Sequence, residues 1–185
     1  MKYQVETMSL PNGARLVTIH RPGATTNSIA VDWRVGSRFE SPKQTGLSHF
    51  LEHMVFQGCP GYPSPQAVNE AAELMGSTLD ASTGRDQTHF EHRVATDALG
   101  RSADLILSLV TQPHFSAFES ERSIILEEAL DEFAADGRRV DPDTMSRMAL
   151  WSRRGLGQPI IGDLAAIEGY TTRDLRRYHQ RHYTA

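Results

Sequence analysis

The stretch from Gly46 to Phe56 constrains this chain more than any other, because it places ionisable side chains inside an apolar segment. His49 and His53 stand four positions apart, so on an α-helix their imidazoles lie one above the other and can point to one site. Glu52 lies at the edge of the same face. Burying such groups unpaired is unfavourable by several kcal/mol, and a bound cation would offset that cost. The apolar neighbours are Leu47, Phe50, Leu51, Met54, Val55 and Phe56.

The order H-x-x-E-H predicts a catalytic zinc site. Neutral imidazole is a common zinc ligand, and a catalytic zinc typically has three protein ligands and one position left for water. In this inverted motif His49 and His53 bind the ion, and Glu52 acts as general base towards a water that zinc activates. The alternative is a pair of partly exposed histidines beside a solvated glutamate, which the apolar flanks disfavour. A third ligand must come from elsewhere in the chain.

The composition is that of an ordinary globular protein, with 185 residues, a net charge of -4 and 39% hydrophobic residues. Cys59 is the one cysteine, which excludes an internal disulfide and suits a reducing compartment. The first residues, MKYQVETMSL, contain no apolar segment of the kind found in secretory signals. We therefore expect a cytoplasmic protein with neither nucleic acid nor a membrane as a partner.

Alternating strands and helical periodicities predict the fold. Residues 3–10 and 14–20 form a hairpin, residues 27–35 form a third strand, and residues 77–83 and 87–95 form a second hairpin. Ser48 is expected to help cap or orient the first turn of the histidine helix. The class is α+β, with helices on one face of a mainly antiparallel sheet and a single domain over residues 1–185. Helices are predicted at 46–56, 65–75, 97–110, 116–135, 141–152 and 173–182.

A second group of acids lies on the long helix predicted for residues 116–135. Glu121, Ile125, Glu128 and Glu132 recur at intervals of four, three and four residues, which places them on one stripe. A solvated outer face is the ordinary interpretation of neighbouring glutamates. Periodicity alone leaves both Glu127 and Glu128 open as the third zinc ligand.

The two stretches together resemble the family of pitrilysin, insulin-degrading enzyme and mitochondrial processing peptidase, a family of inverted-motif zinc peptidases. The segment from His49 to Met54, with Phe56 and Gly58, is similar to the family's core motif, and Glu121 to Glu128 is similar to its second motif. The resemblance implies Zn²⁺ bound by His49, His53 and Glu128. It also implies Glu121 as a second catalytic residue beside Glu52, a nearby carboxylate that supports the site.

The predicted strand 77–83 also resembles the family, which places such a strand beside the zinc. Asp80 stands where the family usually has Asn, whereas Ala81 and Thr83 match. The free edge of a strand lets a peptide add itself as another strand through backbone hydrogen bonds, although an ordinary edge strand is the alternative. The substrate-binding residues implied are Ser77, Thr78, Leu79, Asp80, Ala81, Ser82 and Thr83.

The resemblance covers nearly the whole chain but only part of a family domain, which continues with further strands and a second homologous domain. That second half supplies an Arg and a Tyr that hold the substrate. The sequence thus predicts a zinc endopeptidase for short or unfolded peptides, completed by a homologous second half, a subunit or a second copy. The alternative is a non-catalytic or partner-dependent peptide-binding subunit of a heteromeric processing peptidase.

Overall fold

The computed structural model describes residues 3–184. In chain order it has three strands, two helices, two further strands and then five helices. The strands are β1 (Gln4–Ser9), β2 (Arg15–His20), β3 (Thr26–Trp33), β4 (Leu79–Thr83) and β5 (Thr88–Ala95). The helices are α1 (Leu47–Val55), α2 (Pro65–Glu73), α3 (Leu99–Thr111), α4 (Phe118–Leu130), α5 (Pro142–Trp151), α6 (Leu164–Gly169) and α7 (Thr172–His182). None of these helices is both long enough and apolar enough to span a membrane.

The hairpin β1–β2 forms as predicted, with antiparallel pairing from Gln4 opposite His20 to Ser9 opposite Arg15. It is a separate two-stranded sheet, and every one of its strand residues is exposed. The strands therefore form two antiparallel sheets rather than one. β3 instead pairs with β5, because its alternate residues, such as Ile29 and Val31, pack against the hydrophobic core.

The main sheet has the strand order β3-β5-β4, and both of its pairings are antiparallel. Along β5, Thr88, Phe90, His92 and Val94 are buried and alternate with more exposed residues. Helix α3 packs on β3 and β5, and helix α1 packs beside β4. Helices α4 and α7 contact α1 in turn. This arrangement confirms the predicted α+β class and places α1 against β4, α4 and α7.

Several predicted boundaries differ from those observed. β4 begins at Leu79 rather than at Ser77, because the Ser77 carbonyl accepts a hydrogen bond from His92 Nε2 at 3.0 Å. α4 ends at Leu130 rather than near residue 135, because the chain reverses and the Val140 N–H donates to the Glu132 carbonyl at 2.7 Å. The six-residue helix α6 was not predicted.

Candidate metal centre

Helix α1 presents its polar residues on one side because its apolar residues fill the core. Phe50, Leu51, Met54 and Val55 are completely buried. His49 is only 9% exposed, and its ring centroid lies 4.8 Å from that of His53. The four-residue spacing therefore brings the two imidazoles together as the sequence predicts.

Helix α4 brings Glu128 to this pair, and the completely buried Ile125 sets which face of α4 turns towards α1. Glu128 Oε1 lies 3.5 Å from His49 Nε2, and Glu128 Oε2 lies 3.5 Å from His53 Nε2. Among residues 3–184 these three side chains are the only set of His, Cys, Asp or Glu found with ligand atoms close enough to share a metal, all within 4.8 Å of one another. Glu127, which periodicity left open, is exposed and outside the set.

The spacing of these atoms fits zinc. Two ligands bound at about 2.0–2.1 Å to one tetrahedral ion lie about 3.3 Å apart. The two nitrogen–oxygen distances of 3.5 Å, each to a different oxygen of Glu128, are close to that value. With one ligand atom from each residue the set lies within 4.8 Å, so the side chains would draw together around an ion. Burial, with a smaller contribution from His53, lowers the pKa of His49 to about 4. His49 is therefore neutral at pH 7, which is the form that binds a metal.

Glu121 lies behind His53, on the side of the ring away from Glu128. His53 Nδ1 lies 3.2 Å from Glu121 Oε2, so an Nδ1–H donated there leaves Nε2 free for the ion. The Gln57 side-chain amide donates to Glu121 Oε1 at 2.8 Å and fixes the carboxylate from its other oxygen. Sequence reasoning missed Gln57, although its position one helical turn after His53 was an available signal.

Glu52 is the one acidic residue of helix α1. The Thr83 hydroxyl donates a hydrogen bond to it, which connects α1 to the end of β4. Burial raises the pKa of Glu52, the Thr83 hydrogen bond and His53 lower it, and the charge of Glu128 raises it further. The group is therefore placed and tuned to take up a proton more readily than an exposed glutamate does.

The predicted substrate strand lies at the edge of the main sheet. Residues 79–83 form β4, which has β5 as its neighbour on one side, and Ser77 and Thr78 precede the strand without belonging to it. The side chains alternate between half-buried, on the side of Glu52, and exposed, as for Asp80. The geometry thus places an edge strand beside Glu52 and leaves its role in substrate binding as a prediction.

Ser48 does not cap α1 with its side chain. The N-cap residue is Gly46, with φ of +87°, and the Ser48 hydroxyl forms a hydrogen bond of 2.8 Å with the Tyr178 hydroxyl on α7. The Ser48 hydroxyl therefore orients the helix, one of the two roles predicted for it. The cap comes instead from the Glu40 carboxylate, which accepts hydrogen bonds from the backbone of Gly46 and Ser48.

Known proteins show similarity along almost the whole chain. Residues 15–163 match the family model described as Insulinase (Peptidase family M16). A probable mitochondrial-processing peptidase subunit beta of Arabidopsis thaliana is 32% identical over 184 residues, covering 98% of this chain and 34% of the relative. An uncharacterized zinc protease of Mycobacterium tuberculosis is 32% identical over 182 residues, covering 95% of this chain and 40% of that protein.

Solved structures agree with the fold. The first half of the periplasmic protease PqqL from Escherichia coli matches with a TM-score of 0.82 and 26% identity, covering 97% of this chain and 40% of that one. A protease from Helicobacter pylori matches with a TM-score of 0.83 and 20% identity, covering 98% of this chain and 44% of that one. The chain thus spans about two fifths or less of the length of the curated relatives cited above.

Zinc is the cofactor on which these findings agree, as predicted, because relatives are named zinc proteases and three suitable ligands converge here. The family model covers most of the chain, and it covers both α1 and α4, which carry the three candidate ligands. The chain belongs to the insulinase family of peptidases, family M16.

Proposed function

We propose that this chain is the catalytic part of a zinc-dependent endopeptidase that hydrolyses short or unfolded peptides. The observation that carries the proposal is the convergence of His49, His53 and Glu128 with the carboxylate of Glu52 alongside. A zinc ion bound there would supply Lewis-acid activation of a water molecule and of the scissile carbonyl. The chain's own residues then have to hold the substrate and move the proton.

Glu52 is the residue that moves the proton. Its raised pKa brings a general base closer to neutral pH, where such a base works best. The Thr83 hydroxyl holds one carboxylate oxygen and leaves the other to accept the proton of the attacking water. Glu52 would then deliver that proton to the leaving amine. Glu121 takes no part in this transfer and acts by holding His53 in the required tautomer.

The substrate would bind along β4 as an added strand. Within the described residues β4 is an edge strand, and its last residue is the one that contacts Glu52. Backbone pairing of a peptide with residues 79–83 would therefore carry it past the metal centre, with Ser77 and Thr78 flanking the start of the strand. Recognition through the backbone implies tolerance of sequence and selection for an extended conformation.

A homologous second half or subunit would complete the site. The segment shared with this chain makes up 34–40% of the cited curated relatives, and some of them are named as beta subunits of a processing peptidase. Those names also support the alternative of a partner-dependent peptide-binding subunit. The two functions differ in whether Glu52 is needed for turnover.

An internally quenched fluorogenic peptide tests the proposal. The chain is assayed alone and with a candidate partner chain, each with and without a metal chelator. We expect hydrolysis that the chelator abolishes, and that Glu52→Gln eliminates while zinc stays bound. Glu73→Gln, at an exposed carboxylate at the end of α2, is the matched control and should remain active. Hydrolysis by the Glu52 variant would refute the role of this residue, and binding without cleavage in every mixture would favour the alternative.

A further inference from the structure

Glu40 lies six positions before the N-cap of α1 and reaches back to the start of that helix. Its Oε2 accepts a hydrogen bond from the Gly46 N–H at 2.8 Å, and its Oε1 accepts one from the Ser48 N–H at 2.7 Å. The residue is only 6% exposed. One buried side chain thus accepts hydrogen bonds from two of the backbone donors that the first turn of a helix leaves unsatisfied. Burial raises the pKa of the Glu40 carboxyl group to about 7, and the hydrogen bonds from Ser48 and Gly46 lower it.

The backbone of Glu40 is held by hydrogen bonds as well. The Glu40 N–H donates to the Ser37 carbonyl at 3.2 Å, and the Glu40 carbonyl accepts from the Gln158 side-chain amide at 3.5 Å. The Ser37 hydroxyl donates to the Gln158 carbonyl at 3.3 Å, which closes this set of contacts. Glu40 therefore connects the start of α1 to Ser37 and Gln158, which lie outside both zinc motifs.

His49 depends on its backbone for position more than His53 does. His53 has Glu121 at Nδ1, but Nδ1 of His49 is buried and has no hydrogen-bond partner among the described residues. The residue directly before His49 is Ser48, whose N–H Glu40 holds. What fixes the first turn of α1 consequently fixes where Nε2 of His49 lies relative to Glu128.

We propose that Glu40 is a positioning residue of the metal centre, which it orients through the backbone of Gly46 and Ser48 without touching the ion. This inference rests on the zinc centre of the proposed function. It assigns to a residue outside both zinc motifs a measurable share of the affinity for zinc. Loss of a group that orients a metal ligand typically weakens metal binding by about 10- to 100-fold, and we expect an effect in this range for Glu40.

Glu40→Gln is the variant that tests this, because it keeps the size of the side chain but offers one carbonyl oxygen and turns an NH₂ towards a backbone N–H. Zinc affinity is measured on the whole chain by competition with a chromophoric chelator. The visible spectrum of the cobalt(II)-substituted protein reports the ligand geometry. We expect at least about 10-fold weaker zinc binding and an altered cobalt spectrum. Glu73→Gln, which makes the same chemical change at an exposed site, should bind as the wild type does.

Glu40→Asp separates positioning from folding, since it keeps two acceptor oxygens on a shorter side chain. A partial recovery of affinity relative to Glu40→Gln is expected, and this variant decides the question if the Gln variant does not fold. Unchanged zinc affinity and cobalt spectrum in a folded Glu40 variant, even one with a lower melting temperature, would overturn the inference. If the wild-type chain binds no zinc, the proposed function fails. If the wild type binds zinc and the folded Glu40 variants bind it equally well, only the role of Glu40 fails.

Discussion

Replacing Glu128 with Gln is the sharpest test of the metal centre. Among the described residues Glu128 is the candidate ligand that α4 supplies, and each of its two oxygens lies 3.5 Å from one of the two histidine nitrogens. The variant keeps the shape of the side chain and removes the charge that a divalent ion requires. Glu127→Gln is the matched control, because it removes the same charge from the adjacent, exposed position of the same helix.

The size of the effect follows from the number of ligands. Zinc sites with four protein ligands bind with about 10–16 kcal/mol, so one ligand contributes about 3 kcal/mol, which is about a 100-fold change in dissociation constant. The Glu128 side chain is 47% exposed, so the variant is expected to stay folded. Glu127→Gln acts only through screened charge and should change affinity less than about threefold.

The measurement is zinc competition against a chromophoric chelator at pH 7.5, with zinc content determined by elemental analysis after dialysis. We expect Glu128→Gln to lose zinc during dialysis, whereas the wild type and Glu127→Gln retain it. Equal losses in the two variants would show that charge on α4, not ligation by Glu128, governs binding. Full retention by Glu128→Gln would refute the three-ligand site.

Three further results are expected. Glu121→Gln should weaken zinc binding about 10-fold in the same competition assay, because it loosens His53, and unchanged affinity would contradict that role. In the metal-free chain, burial lowers the pKa of His49 from 6.5 to about 4 in the folded state, so the unfolded state binds a proton more readily. The free energy of unfolding should therefore be highest above pH 6.5 and fall by up to about 3 kcal/mol as the pH is lowered to 4. Urea unfolding at several pH values measures it, and His49→Asn should flatten that part of the profile. Leu105→Ala, at a completely buried position in α3, should lower the free energy of unfolding by about 2–5 kcal/mol, whereas Leu107→Ala, at a half-exposed position of the same helix, should cost less than about 1 kcal/mol.

The proximity of the candidate ligands could be predicted from the sequence largely because the pattern that indicates it is local. The spacing of His49 and His53 fixes their direction on one helix, and the stripe through Ile125 limits the third ligand to a few acids. The choice between Glu127 and Glu128 needed either the family resemblance or the packing of α4 on α1. The two candidates are adjacent residues, about 100° apart around the helix axis, so the packing of α4 decides which of them faces α1.

What could not be predicted depends on contacts between distant segments. The Glu40 carboxylate caps α1 across a loop that follows no capping motif. The start of β4 is shifted by a hydrogen bond from His92, and the pairing of β3 with β5 joins residues about 60 positions apart. Local propensity describes neither kind of contact, since both are set by which surfaces meet when the core closes.

The exposed ribbon formed by β1 and β2 has a thermodynamic consequence. A two-stranded hairpin with neither face covered is marginally stable in water, so its opening needs no rupture of the remaining structure. A metal ion bound between α1 and α4 would make it harder for these two helices to separate. The ribbon lies outside this pair of helices, so the ion would not slow its opening. Residues 4–20 would therefore exchange their amide hydrogens rapidly whether or not the ion is bound, while the two ligand-bearing helices become protected.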